Sequence, residues 1–372
     1  MSLRRIKVCL VAGGTGGHLI PAVAFGQWLT RQSADIQVTY LCGSRKLEEE
    51  IFAHHGIQPR KLPLEGSPLG RGGITAIRRW GQLVTSVPAA CGILRQERPD
   101  FICHFGGYLC FPVMIAARSL GLKQVTHEQN ARSGRVTRLA RRMGIPVACG
   151  WPVCDPFKKG EEFFFTGVPV RPFERLQRSD AWHKLRTGRP VPEGPILSVF
   201  GGSLGSTALM AMAANLVDHP KFRNWTVLEI GTVMDMSCAK DRFFRLPKTW
   251  DLAPVFSLTD LALCRGGASS LWELLLLKIP ALVVPWRGAS DDHQLANAHS
   301  FKDLGGGLFW IEGTDPIERI PTLLEQISQT QRQLLPAGQN DTITPHSGDG
   351  VCQSLWRVLT DKDCEGRGLY GC

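Results

Sequence analysis

Ile6-Lys7-Val8-Cys9-Leu10-Val11-Ala12 followed by Gly13-Gly14-Thr15-Gly16-Gly17-His18 decides the fold. A nearly unbroken apolar run ending in glycines reads as a strand buried on both faces, closed by a tight turn. A helix follows over residues 21–30, with Pro21 near its first turn. The same pattern returns at residues 196–200, with Gly201-Gly202-Ser203-Leu204-Gly205 as the turn and a helix over 206–217. Further strands are expected at 36–42, 101–105, 124–127, 225–230, 261–264 and 281–284, and helices at 46–55 and 86–98. Alternation of buried strands with helices implies parallel βαβ units, so each glycine turn opens its own doubly wound α/β domain.

Prolines at 146, 152, 156, 169 and 172 break the pattern and mark a linker near residue 170. The expected division is 1–168, 169–348, and a helix end and tail over 349–372. Within that tail, the polar, glycine-rich residues 361–372 read as frayed.

The chain has 372 residues, 43% hydrophobic and 20% charged, which supplies two cores and argues against disorder. With 43 basic and 33 acidic residues the net charge is +10, which favours anionic partners. Residues 71–142 hold 12 Lys/Arg against three acids, Glu97, Asp100 and Glu128. No apolar run approaches the roughly 20 residues of a spanning helix; the richest, 271–286, contains Glu273, Lys278, Pro280 and Pro285. The basic opening residues lead directly into the first strand and its glycine loop, which is not the pattern of an export signal. The 12 cysteines lack paired CxxC sets, favouring a reducing cytoplasm and giving no structural zinc site.

Glycines 13, 14, 16 and 17 let the backbone approach a ligand closely, because no Cβ intervenes. As a bare pattern this suits a dinucleotide. The second strand, however, ends in Gly43-Ser44-Arg45 and lacks a ribose-binding acid, so only an NADP enzyme using Arg45 keeps that reading open. His18 falls at a helix start, whose partial positive charge disfavours imidazolium and keeps a neutral base available; a histidine that merely ties down the loop is the alternative. Ile74, Ile77, Trp80, Val84, Val87, Cys91 and Leu94 recur at helical spacing. They read either as the core face of a helix bent at Pro88 or, with Leu69, Arg71, Arg78 and Arg79, as a patch that settles on an anionic membrane. Nucleic acid is disfavoured, since no reader motif or aromatic platform is present. Ser270-x-x-Glu273 reads as a capping box, or else Glu273 points at a ribose. In Asp291-Asp292-His293-Gln294, Gln294 is preferred as a neutral partner for sugar hydroxyls over a metal-binding Asp–His dyad.

Together GGTGGH at 13–18, GGY at 106–108, HEQN at 127–130, TGVPVR at 166–171, GGSLGS at 201–206, GGASSLWE at 266–273 and DDHQLANA at 291–298 resemble, in order, the MurG family of peptidoglycan N-acetylglucosaminyltransferases, in glycosyltransferase family 28. The resemblance spans residues 6 to 310. It implies a GT-B fold, two Rossmann-like doubly wound parallel-sheet domains facing a central cleft. The implied reaction is transfer of GlcNAc from UDP-GlcNAc to lipid I (undecaprenyl-pyrophosphoryl-MurNAc-peptide), giving lipid II with inversion and with neither metal nor cofactor. Thr15, Gly16 and Gly17 would lie near the donor sugar and diphosphate, Asn130 and Gln294 at GlcNAc, and Arg171 and Ser203 at the diphosphate. Ala268, Ser269, Ser270, Leu271, Trp272 and Glu273 would form the phosphate and ribose loop, with Glu273 on the ribose and Thr249 near uracil. His18 is the candidate base, and Gly106, Gly107, Tyr108, His127, Glu128 and Gln129 would lie on the acceptor side. The implied station is peripheral, on the cytoplasmic face of the cell membrane; membership of a larger cell-wall assembly is left open. Val168 stands where the family often has asparagine, and GGASS replaces a more usual SGA-type turn. The competing classes are another UDP-sugar-dependent lipid glycosyltransferase or epimerase, and a non-catalytic UDP-sugar sensor.

Overall fold

The apolar run that opens the chain forms β1 (Ile6–Val11), whose last four residues are buried. The glycine turn leads into α1 (Gly16–Gln32) and then β2 (Ile36–Cys42). These elements come from a computed structural model, which describes residues 5–67, 73–158, 162–201, 206–233, 237–288, 292–334 and 348–361. Next come α2 (Lys46–His54), β3 (Arg60–Lys61), α3 (Gly73–Glu97), β4 (Phe101–His104), α4 (Cys110–Ser119), β5 (Lys123–Glu128), α5 (Arg135–Arg142), β6 (Val147–Cys149) and β7 (Phe164–Phe165). The second half comprises α6 (Arg178–Lys184), β8 (Ile196–Phe200), α7 (Thr207–Asp218), β9 (Thr226–Val233), β10 (Ser237–Lys240), β11 (Phe243–Pro247), α8 (Ala253–Leu258) and β12 (Leu261–Cys264). It continues with α9 (Ala268–Leu276), β13 (Ala281–Val283), α10 (His293–Asp303), β14 (Gly307–Phe309) and α11 (Ile320–Leu334); α12 (Asp349–Thr360) follows.

Two sheets result, in the orders β3-β2-β1-β4-β5-β6-β7 and β10-β11-β9-β8-β12-β13-β14. Only the β10–β11 pairing is antiparallel among the described strands. In the first sheet the chain winds from β1 to β2 and β3, then resumes at β4 on the other side of β1. In the second, β9 and β12 flank β8 in the same way. The order therefore reverses between β1 and β4 and between β8 and β12, and in such sheets ligands bind beyond the carboxyl ends of the strands at the reversal. The loops leaving those four strands are GGTGGH, GGY, GGSLGS and GGASS.

Each sheet has its own core. Cys9, Val11, Leu41 and Ile102 pack with Leu83, Leu94, Val113 and Met114 in one. Leu197, Val199, Val227 and Leu263 pack with Leu209, Met212, Leu216 and Leu324 in the other. Burying side chains of this size contributes roughly 1.5–3 kcal/mol each, so neither unit needs a metal or disulfide to hold it. The chain divides into two compact units, Met1–Arg171 with Gly348–Cys372, and Pro172–Ser347. Helix α12 thus belongs to the first unit. Helix α12 packs on the first sheet, with Trp356 edge-on to Phe101 at 5.9 Å and Asp349 paired with Arg31 at 3.5 Å. Residues 362–372, expected to fray, lie outside the described residues.

Two local expectations change. Helix α1 starts at Gly16, so Pro21 lies inside it, in its second turn, where the missing N–H removes one helical bond. Helix α3 is a single 25-residue element running through Pro88, which is exposed. Its apolar stripe is divided and is not a continuous core face. Leu94 is buried and Val87 and Cys91 half-buried, but Ile77, Trp80 and Val84 are 73, 50 and 69% exposed. Leu69 and Arg71 lie outside the described residues, as does the side chain of Ile74.

Candidate active site

The first candidate site is built where the loops after β1, β4 and β5 meet. Thr15 is the N-cap of α1, and its carbonyl accepts from His18 N at 3.1 Å and Leu19 N at 3.2 Å. His18 therefore stands at the third helical position, as the glycine turn predicts. Gly106 has φ +96°, and a Cβ there would come within 2.9 Å of the His18 ring. Gly107, at φ +85°, would put a Cβ 2.1 Å from Gly13 O. The GGY turn is glycine-rich because it lies directly on the GGTGGH turn and on the imidazole.

The other side of the ring is tied to HEQN. His18 Nδ1 lies 2.9 Å from Gln129 Oε1, and Gln129 Nε2 donates to His127 O at 2.8 Å and lies 3.0 Å from His127 Nδ1. His127 Nε2 is 2.8 Å from Gly167 O, in the TGVPVR turn. Trp151 Nε1 holds the Gln129 carbonyl at 2.9 Å. Val168, the departure from the family pattern, is fully buried, and a Cβ on Gly150 would lie 2.3 Å from it; its role there is packing. Burial lowers the His127 pKa to about 4, partly offset by the bond to Gly167.

Glu128 is fully engaged inside the unit. Its Oε1 accepts from Asn130 N and Nδ2, both at 3.0 Å, and its Oε2 from Gly134 N at 2.9 Å and Thr137 Oγ1 at 2.5 Å. The carboxylate orients Asn130 and caps α5. His127, Glu128 and Gln129, expected on the acceptor side, are all buried, with Gln129 against His18 and Glu128 against Asn130.

A residue the sequence reading passed over organises the glycine turn. Glu48, fully buried, accepts from Gly14 N at 2.7 Å and Tyr108 Oη at 2.9 Å. A carboxylate behind the loop uses one of the N–H groups that a phosphate would need. Arg45 donates to Glu65 O at 2.8 Å and lies over the Tyr108 ring at 4.9 Å. The NADP reading loses its cation and part of its cradle together.

The second candidate site lies at the ends of β8, β12 and β13. Gly267 is the N-cap of α9 and Ala268 its first residue, so Ser270 is already inside the helix. The capping-box reading of Ser270 and Glu273 is therefore incorrect. Leu271 N makes the first helical bond, to Gly267 O at 3.0 Å, and the amides of Ala268, Ser269 and Ser270 stand at the helix start, where anions are favoured. Leu271, Trp272 and Glu273 are buried. Gln294 Oε1 accepts from Gly266 N at 3.2 Å and Trp286 N at 3.0 Å, leaving its NH₂ end to donate. Asn297, fully buried, donates to Gly266 O at 2.9 Å. Trp286, half-exposed beside Gln294, was not singled out from sequence; an aromatic at a strand end was the available signal. Arg265 donates to Ser206 Oγ from Nε at 3.1 Å and Nη2 at 2.9 Å, bracing the start of α7.

Thr249 Oγ1 exchanges hydrogen bonds with the Asp251 backbone at 3.1 Å. Arg171 ends the first unit, where its charge, after burial and His54, helps lower the His55 pKa to about 4. Ser203 and Asp291 lie outside the described residues. Among the described residues no three His, Cys, Asp or Glu side chains gather as a metal site, and no helix is long and apolar enough to cross a membrane.

Comparison with known proteins gives this geometry a lineage. Residues 8–144 match the glycosyltransferase family 28 N-terminal domain and residues 196–344 its C-terminal domain. A UDP-N-acetylglucosamine–N-acetylmuramyl-(pentapeptide) pyrophosphoryl-undecaprenol N-acetylglucosamine transferase from Nostoc punctiforme is 30% identical, covering 95% of this chain and 98% of that one. The protein of the same description from Desulforudis audaxviator is 30% identical over 82% and 86%. Among solved structures, MurG of Acinetobacter baumannii superposes with a TM-score of 0.61 at 23% identity over 94% of this chain and 95% of that one. A kitacinnamycin glycosyltransferase gives 0.61 at 15% identity over 98% and 97%. The architecture is GT-B, and with both family domains matched in order and relatives aligned almost end to end, the chain belongs to glycosyltransferase family 28.

Proposed function

We propose that this chain is an inverting N-acetylglucosaminyltransferase that moves GlcNAc from UDP-GlcNAc to the MurNAc 4-hydroxyl of lipid I, forming lipid II for peptidoglycan. The observation that supports it most is the convergence of GGTGGH, GGY and HEQN on a single half-buried imidazole. The name carried by the aligned relatives supplies the substrates.

In this reading His18 takes the proton of the acceptor hydroxyl as its oxygen attacks the anomeric carbon. The bond from that carbon to the UDP oxygen breaks, and its electron pair leaves with the diphosphate. A positioned base contributes typically 10²–10⁴-fold. Charge on the departing diphosphate is met by the amides at the start of α9 and by Arg171. Glu273 accepts from the ribose hydroxyls, Thr249 lies toward uracil, and Gln294 donates to a sugar oxygen with Asn130 as its companion. Thr15 and Gly17 are exposed with Gly16 buried between them, and in this reading they are the part of the first turn nearest the donor sugar and diphosphate.

The acceptor is a lipid, so the reading includes a peripheral station on the anionic cytoplasmic face of the cell membrane. Exposed Ile77, Trp80 and Val84 on α3 support it, with Arg79 half-buried nearby, donating to Ser67 O at 3.0 Å, and Arg78 paired with Glu65. Vesicle sedimentation tests that part: Trp80→Ala with Ile77→Ser should lower binding to anionic vesicles several-fold, and binding should weaken with salt.

The test of the reaction is transfer of radiolabelled GlcNAc to purified lipid I. Label in the lipid fraction with one UDP released per transfer is expected. UDP-GlcNAc binding without transfer would make the chain a sensor, and transfer only to some other lipid would make it a different glycosyltransferase.

A further inference from the structure

The hydrogen bonds around His18 form a chain in which each proton has one place to be. The peptide carbonyl of His127 can only accept, so the Gln129 atom 2.8 Å from it must be the NH₂ group. That leaves Gln129 Oε1, also an acceptor only, facing His18 Nδ1 at 2.9 Å, and the ring nitrogen must carry the proton. The second hydrogen of the same NH₂ points to His127 Nδ1 at 3.0 Å, which must therefore be the bare nitrogen of that ring. His127 then carries its proton on Nε2, where Gly167 O accepts it at 2.8 Å. All four contacts are satisfied by this arrangement. Flipping the Gln129 amide would set its oxygen against the His127 carbonyl. The depressed pKa of buried His127 agrees with a neutral ring.

We propose that Gln129, anchored by His127 and Gly167, is a positioning residue that locks His18 in the Nδ1–H tautomer, so that Nε2 is always the bare nitrogen. The inference rests on reading His18 as the base, because it gives the tautomer its use: the lone pair that receives the acceptor proton is fixed before substrate arrives. Among the described residues Nε2 has no hydrogen-bond partner, and Gly106 against the ring leaves no Cβ to turn it aside. After proton transfer the Nδ1–H bond to Gln129 Oε1 persists and strengthens, since its donor is then charged. Gln129 and His127 thus act through His18 and need not touch the acceptor. The same logic makes an orienting partner to a catalytic histidine costly to lose in other enzymes, where the wrong tautomer lowers turnover by up to about 10⁴-fold.

The test begins without any substrate. The full chain is labelled with ¹⁵N-histidine, and His18 is assigned among the ten histidines by its loss in His18→Ala. Nitrogen shifts of the neutral ring then report which nitrogen carries hydrogen. Wild type should show Nδ1 protonated and Nε2 bare, and Gln129→Leu should shift the population toward Nε2–H. In transfer assays Gln129→Leu should lower kcat by about tenfold or more, toward the His18→Ala level, with KM for UDP-GlcNAc unchanged. A wild-type spectrum with the proton on Nε2, or an unchanged tautomer in Gln129→Leu, overturns the inference even if that variant folds poorly. If the spectra come out as expected but no GlcNAc is transferred, it is the proposed function that fails.

Discussion

In the first unit a single imidazole is held by the Gln129 side chain, itself anchored by His127 and the Gly167 carbonyl, whereas in the second the start of α9 is held by backbone and by two amides of α10. The difference follows from what each is asked to present. On the proposed reading a proton acceptor needs one nitrogen bare and aimed, and His18 Nδ1 meets Gln129, whose own donor and acceptor roles interlock with His127 and Gly167 O. On the same reading the start of α9 meets an anion with its own peptide dipoles, and Gln294 and Asn297 pin Gly266 just ahead of it. Both turns contain a glycine where a Cβ would run into backbone. Gly107 faces Gly13 O and Gly266 faces Gln294 O, while Gly267 faces open space.

Perturbing the two sites should therefore have different signatures. His18→Ala is expected to have the largest effect, lowering kcat about 10²–10⁴-fold with little change in donor KM; full turnover in that variant removes the base role. Gly107→Ala should come next, since its neighbour is backbone and cannot swing away: about 2 kcal/mol or more lost in urea unfolding, given the strained φ as well. Glu273→Ala should raise KM for UDP-GlcNAc about 10–100-fold, the loss of hydrogen bonds to a charged group, with kcat at saturation nearly kept. A kcat loss equal to that of His18→Ala would erase the contrast between the sites. Gly267→Ala should be the mildest, about 0.5 kcal/mol, because its φ is −72° and nothing lies within 4 Å.

Acid gives an independent handle on the first unit. His55, His104 and His127 are each held near pKa 4, in every case chiefly by burial. Between that value and the ordinary 6.5 the unfolded chain binds more protons than the folded one, so stability rises with pH across the window and is fully present above it. Urea midpoints should fall as pH is lowered from about 6.5 to about 4, and His104→Gln should flatten that slope; a midpoint that does not move with pH contradicts it.

The glycine turns, their strands and the doubly wound pattern were legible because buried parallel strands carry continuous apolar runs and only glycine fits the close approaches. His18 at a helix start was legible for the same reason. What stayed hidden was partnership across the chain. Glu48, 34 residues from Gly14, looks in sequence like any acid in a charged helix. Nothing in HEQN itself says that its first three side chains face inward. The Ser270–Glu273 spacing matches a capping box, but the helix begins earlier, at Ala268, because Gly267 already supplies the extended N-cap. The stripe on α3 has one period along its length, and packing that includes α4 covers Leu94 while Ile77, Trp80 and Val84 stay bare.

Helix α12 has a consequence for how the protein is made. Cys352, Leu355 and Leu359 are buried in the first unit, so its sheet lacks part of its covering until α12 has emerged from the ribosome. The unit encoded in between, Pro172–Ser347, has all of its strands available sooner. Order of synthesis and order of completion are reversed for these two units, and loss of α12 would damage the one whose strands are translated before those of the other.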